Sequence, residues 1–237
     1  MAKNNFSFLL TLGIFLLTLY ACNNKGSETH YELDVIQQIE RYKSLVDKTP
    51  EKELVDLKKE IPELLFDIRY ATTNNFTGQK IYDSPRAFAR KPVADALKNV
   101  QTQLKEKGLG LKIFDAYRPY SATVKLYEAY PDTNYVAAPW NGSRHNRGCA
   151  VDVTLVNLAN GKQLTMPTPF DDFTEKAAPS YMQLPDSVIT NRQILMDVMT
   201  ENGFSTYPYE WWHFDYDGWG NYELMDLSFE ELDRHGN

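Results

Sequence analysis

The sequence predicts an α+β fold, a small central antiparallel sheet flanked by helices, and three observations predict it. Apolar residues recur at helical spacing over residues 92–107 and 187–202. Short β-branched, aromatic or alternating runs stand at 111–117, 150–156 and 211–216. Helices and strands do not alternate regularly along the chain, which argues against a parallel α/β sheet. At 237 residues and 43% hydrophobic, the chain has room for one domain with a real core plus some extension. A net charge of -7 argues against nucleic acid as a partner, because phosphate binding needs a basic surface.

The first residues read as an export signal rather than as part of the fold. Lys3 gives a thin positive start, and residues 8–19 form an apolar run too short for a membrane span of ~20 residues. The run closes Leu19-Tyr20-Ala21-Cys22, which resembles a bacterial lipobox with cleavage after Ala21 and a lipid on Cys22. A generic signal with Cys22 incidental is the alternative. The only other cysteine is Cys149, so a lipidated Cys22 leaves no disulfide. Residues 23–28 are polar and read as a tether.

Further along, residues 31–46 carry apolar positions at roughly helical period, and Pro50 interrupts them. Residues 64–70 are apolar and compact, a strand candidate, followed by a Thr/Asn/Gly-rich loop over 71–79. The 92–107 helix starts near Pro92, directs Val93, Ala96, Leu97, Val100 and Leu104 to one face, and stops at Gly108. Residues 111–117 then read as a buried strand. A turn at Arg118-Pro119-Tyr120-Ser121 leads into a short helix over 122–130, with Ser121 as its expected N-cap. On the 150–156 strand, Asp152 and Thr154 share one face. The polar stretch 158–185 is too long for a turn and is expected to be a functional excursion or a lid. The second strong helix, 187–202, ends at Gly203, and 204–209 leads into the aromatic strand 211–216.

The chemistry concentrates in two stretches. Residues 143–152 read S-x-H-x-x-G-x-A-x-D, and Glu210-Trp211-Trp212-His213 lies far downstream. His145, Asp152 and His213 offer two imidazoles and a carboxylate, three ligands that leave a fourth position open on Zn²⁺, the layout of a catalytic site. An Asp within an apolar strand is costly to bury without a partner, and a metal would supply one. His145 and Asp152 are an odd seven residues apart, so Gly148 must turn the chain to bring them together. Glu210 and His213 differ by three, so Glu210 must lie at the bend after Pro208. Of the four histidines, His30 and His235 fall near the ends, where order is least expected. Glu210 is the candidate general base. Against this stand a surface histidine, a hydrogen-bonded buried Asp152 and a plain aromatic core strand.

Three other residues carry alternatives. Arg118 is either a surface salt bridge or an electrostatic clamp on a developing oxyanion. Cys149 could ligate a metal, but its parity on the strand is opposite to that of Asp152, and a free cysteine is more often simply buried. Ser143 or Ser121 could act with His145 as a serine hydrolase, although no G-x-S-x-G elbow surrounds either. A non-catalytic envelope-binding lipoprotein is a third possibility, for which a carboxylate beside the metal has no use.

These stretches resemble the D-alanyl-D-alanine dipeptidases of the vancomycin-resistance type, within a group of zinc D,D-peptidases that includes D,D-carboxypeptidases. Asp67-Ile68-Arg69-Tyr70-Ala71-Thr72-Thr73-Asn74-Asn75-Phe76-Thr77-Gly78 and Phe114-Asp115-Ala116-Tyr117-Arg118-Pro119 are similar to the dipeptidase branch. The resemblance runs from about Leu54 to the C-terminus. It implies a hedgehog/D,D-peptidase-like sheet flanked by helices, and one zinc per chain on His145, Asp152 and His213. It implies Glu210 as catalytic acid/base, Arg118 as the group steadying the carbonyl oxygen, and Ser143 and Tyr70 as substrate-holding residues. The expected organisation is a lipoprotein signal over 1–21, a tether and helix over 22–50, and a catalytic domain over 51–237. The expected activity is zinc-dependent hydrolysis of D-Ala-D-Ala in the cell envelope, the membrane touched only through the N-terminal lipid. A D,D-carboxypeptidase acting on peptidoglycan stem peptides is the alternative.

Overall fold

The chain opens with a pairing that helical periodicity does not reveal. In the computed structural model, which describes Met1 and residues 31–235, β1 (Val35–Ile36) precedes α1 (Ile39–Lys48). The expected 31–46 helix therefore starts later, because Val35 and Ile36 pair with a distant strand near the C-terminus. Tyr42 of α1 is buried, and its hydroxyl accepts the Leu54 N–H at 2.7 Å. The apolar run 8–19 and Cys22 lie outside the described residues. No helix among the described residues is long and apolar enough to cross a membrane.

β2 (Leu54–Asp56) leads directly into α2 (Leu57–Glu60), where the Asp56 carboxylate caps the helix by accepting the Lys58 N–H. β3 is only Leu65–Phe66, shorter than the expected strand. The Asp67 N–H still bonds Ile113 O, but the chain then winds into a 3-10 turn at Arg69–Ala71. β4 (Phe88–Arg90) pairs antiparallel with β2 and runs into α3 (Lys91–Glu106), whose predicted apolar face is buried.

β5 (Leu109–Asp115) follows, then α4 (Tyr120–Ala129). Ser121 does not cap α4: it lies inside the first turn, and its N–H is accepted by Asp226 from 105 residues away at 2.9 Å. A tertiary carboxylate thus satisfies a donor that local sequence leaves orphaned. β6 (Ala150–Asn157) is buried along nearly its whole length. After the excursion come α5 (Asp186–Glu201), β7 (Phe204–Tyr207), β8 (Glu210–Tyr216), β9 (Leu224–Met225) and α6 (Phe229–His235). β9 is the strand that pairs, in parallel, with β1.

The main sheet has the order β3-β5-β6-β8-β7. Its β5–β6, β6–β8 and β8–β7 pairs are antiparallel, as expected, and only the short β3 joins β5 in parallel. Helices α3 and α5 pack together and against this sheet. Leu111, Ile113, Val151, Val153, Trp211 and Phe214 are fully buried in its core. Burial of one such Phe side chain contributes roughly 1.5–3 kcal/mol.

The excursion over 158–185 is pinned rather than loose. Trp211 Nε1 donates to Thr168 Oγ1 at 3.0 Å, and Phe170 stacks on Phe114 with ring centroids 4.7 Å apart. Arg192, buried on α5, donates to the Tyr181 carbonyl at 2.6 Å. This anchoring holds the middle of the excursion against the face of the sheet that carries the polar cluster.

Candidate active site

The two motifs meet because β6 and β8 are neighbours in register. Asp152 and His213 are direct cross-strand partners, so their side chains share one face of the sheet. His145 reaches them from the turn before β6. Residues His145–Arg147 form one 3-10 turn, and Gly148 ends it at φ 69°. The left-handed backbone at Gly148 favours glycine, and a Cβ there would lie 2.5 Å from Leu54 Cδ2, so any side chain would also require Leu54 to shift. Arg90, fully buried at the end of β4, clamps the turn: its N–H bonds Gly148 O at 3.0 Å and its Nε donates to Arg147 O at 2.7 Å.

Asn146, between the two basic residues of the motif, ties the turn to the neighbouring loop. Its amide group donates to Arg118 O at 2.9 Å and to Thr123 Oγ1 at 2.8 Å, while its Oδ1 accepts the Ser143 N–H at 2.8 Å. The sequence reading gave Asn146 no role. Its signal was only that it sits inside the motif.

Three donor atoms converge at this point. His145 Nε2 lies 3.2 Å from His213 Nδ1, His213 Nδ1 lies 3.1 Å from Asp152 Oδ1, and Asp152 Oδ1 lies 3.5 Å from His145 Nε2. A tetrahedral zinc with bonds of ~2.0–2.1 Å holds its ligands about 3.3 Å apart, so the observed triangle already has the right edges. The outer nitrogens select the matching tautomers. His145 Nδ1 donates to Ala116 O at 2.7 Å, and His213 Nε2 bonds Asp215 Oδ1 at 2.9 Å. Both inner nitrogens are therefore left as lone pairs facing each other and a carboxylate. Such a set is reconciled only by a cation or a proton. Among the described residues, these three form the group whose ligand atoms could hold a metal.

Electrostatics agree with that reading. Burial lowers the His213 pKa, but Asp215 and Asp152 together push it up to about 10. The same two carboxylates that favour a proton on His213 would favour a cation, and a bound metal would compete with that proton. Burial works against ionised Asp152, yet His145 and His213 hold its pKa below the usual carboxylate range.

Glu210 stands at the first position of β8, beside a register shift between Thr206 and Tyr207. The irregularity lets it turn to the same side as His213 despite the spacing of three, and Oε2 lies 3.8 Å from His213 Nδ1. It is buried but outside the three-ligand group. Burial pushes its pKa well above the usual range, with Asp152 and Asp171 adding to the rise and His213 opposing it. A cation on the neighbouring ligands works in the same sense as His213.

Arg118 is buried and lies in the cavity wall, so the surface salt bridge is set aside. Its Nε donates to Asp115 Oδ2 at 2.9 Å, its Nη2 is ion-paired with the same oxygen at 2.8 Å, and its guanidinium lies 5.2 Å from the Tyr70 ring centroid. Tyr82 holds the other Asp115 oxygen at 2.8 Å. Burial alone would lower the Arg118 pKa, but Asp115 raises it well above the ordinary value, so the group is a fixed positive charge.

Ser143 and Tyr70 also line the cavity. Ser143 Oγ accepts the backbone N–H of His145 at 3.2 Å rather than facing the imidazole, and Ser121 sits on α4 outside this cavity. Neither serine therefore makes the pair that a serine hydrolase needs. Cys149 is buried away from the three ligands, with its thiol pushed up to about 12 by burial.

Asp171 is a second site residue that the sequence did not single out. It lies on the excursion at φ 61°, a strained value for a non-glycine. It lines the cavity, and Tyr70 Oη donates to its Oδ1 at 3.2 Å, while its buried Oδ2 has no hydrogen-bond partner. Burial pushes its pKa well above the usual range, and Asp152 adds to the shift. A buried carboxylate with one idle oxygen is arranged to receive a cationic or hydrogen-bonding group. The sequence offered only an Asp-Asp pair in a polar stretch.

The cavity measures about 200 Å³. Aromatic side chains from three loops and the end of β7 gather around it: Phe173 meets Phe76 at 5.0 Å and Tyr135 at 5.1 Å, and Tyr207 Oη donates to Asn134 O at 3.0 Å. That volume is below the ~300–1,000 Å³ typical of drug-sized ligands and suits a very small substrate.

Comparison with known proteins adds the following. The profile of a peptidase family described as D-Ala-D-Ala dipeptidase matches residues 50–230. A D-alanyl-D-alanine dipeptidase of Escherichia coli (strain K12) is 37% identical over 177 residues, covering 75% of this chain and 91% of that one. Its namesake from Enterococcus faecalis is 32% identical, covering 70% and 88%. A vancomycin-resistance D,D-pentapeptidase, VanY, solved with Zn(II), is 16% identical over 58% of this chain and 77% of its own, with a TM-score of 0.38.

Proposed function

The chain belongs to the D-Ala-D-Ala dipeptidase family, and from that premise we propose that it hydrolyses free D-Ala-D-Ala to D-alanine with one zinc ion. The observation that carries the reading is the triangle of His145, Asp152 and His213 with Glu210 beside it and outside it. A carboxylate so placed serves catalysis, and a binding module has no need of it. Zinc on these ligands supplies Lewis acidity, lowering the pKa of a bound water toward ~7 and polarising the scissile carbonyl.

The protein's own groups do the rest. Glu210 takes the proton from the attacking water and returns one to the leaving amine. The Arg118 guanidinium, fixed by Asp115, meets the negative charge that develops on the carbonyl oxygen. The idle Asp171 oxygen receives the free ammonium of the dipeptide, while Tyr70 keeps the other oxygen in place. Ser143 also lines the wall, two residues before His145. Closure by Phe173, Tyr135 and Tyr207 excludes water and limits length.

A direct test compares D-alanine release from D-Ala-D-Ala and from a pentapeptide ending in D-Ala-D-Ala. The dipeptide is expected to be cleaved and the pentapeptide rejected, because an amide nitrogen in place of the ammonium leaves Asp171 unpaired. Equal cleavage of both would make the enzyme a D,D-carboxypeptidase. Cleavage of neither by zinc-loaded protein would return it to the binding-lipoprotein reading.

The location we propose is the cell envelope, with a lipid on Cys22 as the only membrane attachment. The apolar run 8–19 closing on Ala21-Cys22 supports this. Mass spectrometry of the native protein is expected to find a modified Cys22 at the N-terminus. Any other N-terminus, or an unmodified Cys22, overturns it.

A further inference from the structure

Arg144 stands between Ser143 and His145 and has so far been given no role. It lines the same cavity as the metal triangle, with its side chain 41% exposed. Its guanidinium carbon lies 4.8 Å from the Trp219 ring centroid, a stacking that fixes the head group without using its N–H donors. The Nε is buried and has no hydrogen-bond partner. Asp215 forms an ion pair with it, Oδ2 lying 3.6 Å from Nε and so beyond hydrogen-bond range, while its other oxygen bonds His213.

The charges on the cavity wall show what is missing. Asp152, Asp171 and Glu210 line it on the negative side, Arg118 and Arg144 on the positive side. Arg118 already engages Asp115 through an Nε hydrogen bond and an Nη2 ion pair. Arg147, the other cation of the motif, gives Nη1 to the Tyr222 carbonyl and does not line the cavity. A free dipeptide brings two charges, an ammonium and a carboxylate. Asp171 suits the first, and the second requires a positive group with free donors inside the cavity. We propose that Arg144 binds the free C-terminal carboxylate of the substrate through its guanidinium fork, and thereby makes the site selective for an unblocked C-terminus. This rests on the dipeptidase reading above.

A rival role follows from the same contacts. Arg144 could act through Asp215, which orients His213, and so merely support the metal site. The two roles differ in what they do to an uncharged substrate. Steady-state kinetics of zinc-loaded wild type, Arg144→Ala and Arg144→Lys would use D-Ala-D-Ala and its C-terminal amide, with zinc content measured alongside. Loss of a charge-assisted contact is expected to raise KM for the acid by about 10- to 100-fold, with kcat little changed. The preference of the wild type for acid over amide should shrink by the same factor, zinc content should be unaltered, and Lys should restore part of the preference. Arg144→Gln keeps a polar, unbranched side chain without the charge and gives the same comparison should the Ala variant fold poorly. An unchanged acid-to-amide preference overturns the proposal, as does an equal loss of kcat on both substrates with loss of zinc. A wild type that cleaves no D-Ala-D-Ala removes the dipeptidase reading and the proposal with it.

Discussion

Glu210→Gln is expected to lose about 10²–10⁴-fold in kcat, the usual contribution of a positioned acid/base, while retaining zinc and fold. The side chain is buried, lies 3.8 Å from His213 Nδ1, and stands outside the group of three ligands. Gln has nearly the same shape, so packing around the head of β8 is preserved. The sign of the stability change follows from the pKa. Burial, with Asp152 and Asp171, raises the folded value of Glu210 above the unfolded one. The metal-free folded protein therefore binds this proton more tightly than the unfolded chain, and it loses stability as pH rises from the ordinary carboxylate range through the raised folded value. The amide carries no such loss. Metal-free Glu210→Gln should thus melt no lower than metal-free wild type at neutral pH, while the loaded variant is nearly inactive. Turnover within tenfold of wild type would assign the base to another group, and loss of zinc would make Glu210 a ligand.

The parts of this protein that were legible in the sequence are those with a local cause. The helices α3 and α5 carry their own periodicity and end at glycines, and they form within one residue of the expected bounds. The buried strands β5, β6 and β8 are likewise written in their β-branched and aromatic residues. What could not be read depends on partners far away in sequence. β1 exists because Val35 and Ile36 meet Leu224 and Met225, and the first turn of α4 is satisfied by Asp226 rather than by Ser121. The same division holds in the site. His145 and His213 belong to a rare residue type, four in the whole chain, and Asp152 and Glu210 stand in the same tight motifs. Asp171 is a common type on an irregular stretch, and only the fold brings it to the cavity wall with one buried oxygen unpartnered. Arg118 was ambiguous because sequence cannot tell an exposed ion pair from a buried one, and Asp115 decides that question three residues upstream.

His213→Ala is expected to abolish zinc binding and turnover together, the larger of the two effects. The triangle loses one of its three corners, and the two remaining donors do not hold the ion. More than ligation is lost. His213 is the shared partner of two buried carboxylates, with Nδ1 on Asp152 at 3.1 Å and Nε2 on Asp215 at 2.9 Å. Removing the imidazole leaves both acids short of a countercharge, and breaking a buried pair of this kind typically costs about 3–5 kcal/mol. The variant should therefore be less stable than metal-free wild type, not merely equal to it. That difference separates the ligand role from simple metal loss, because chelated wild type keeps the imidazole between the two carboxylates. The measurements are zinc per chain, kcat on D-Ala-D-Ala, and urea unfolding of the variant beside chelated wild type. Full zinc occupancy in His213→Ala would refute the ligand assignment. Equal stability of the variant and the chelated wild type would show that Asp152 and Asp215 do not depend on the His213 charge.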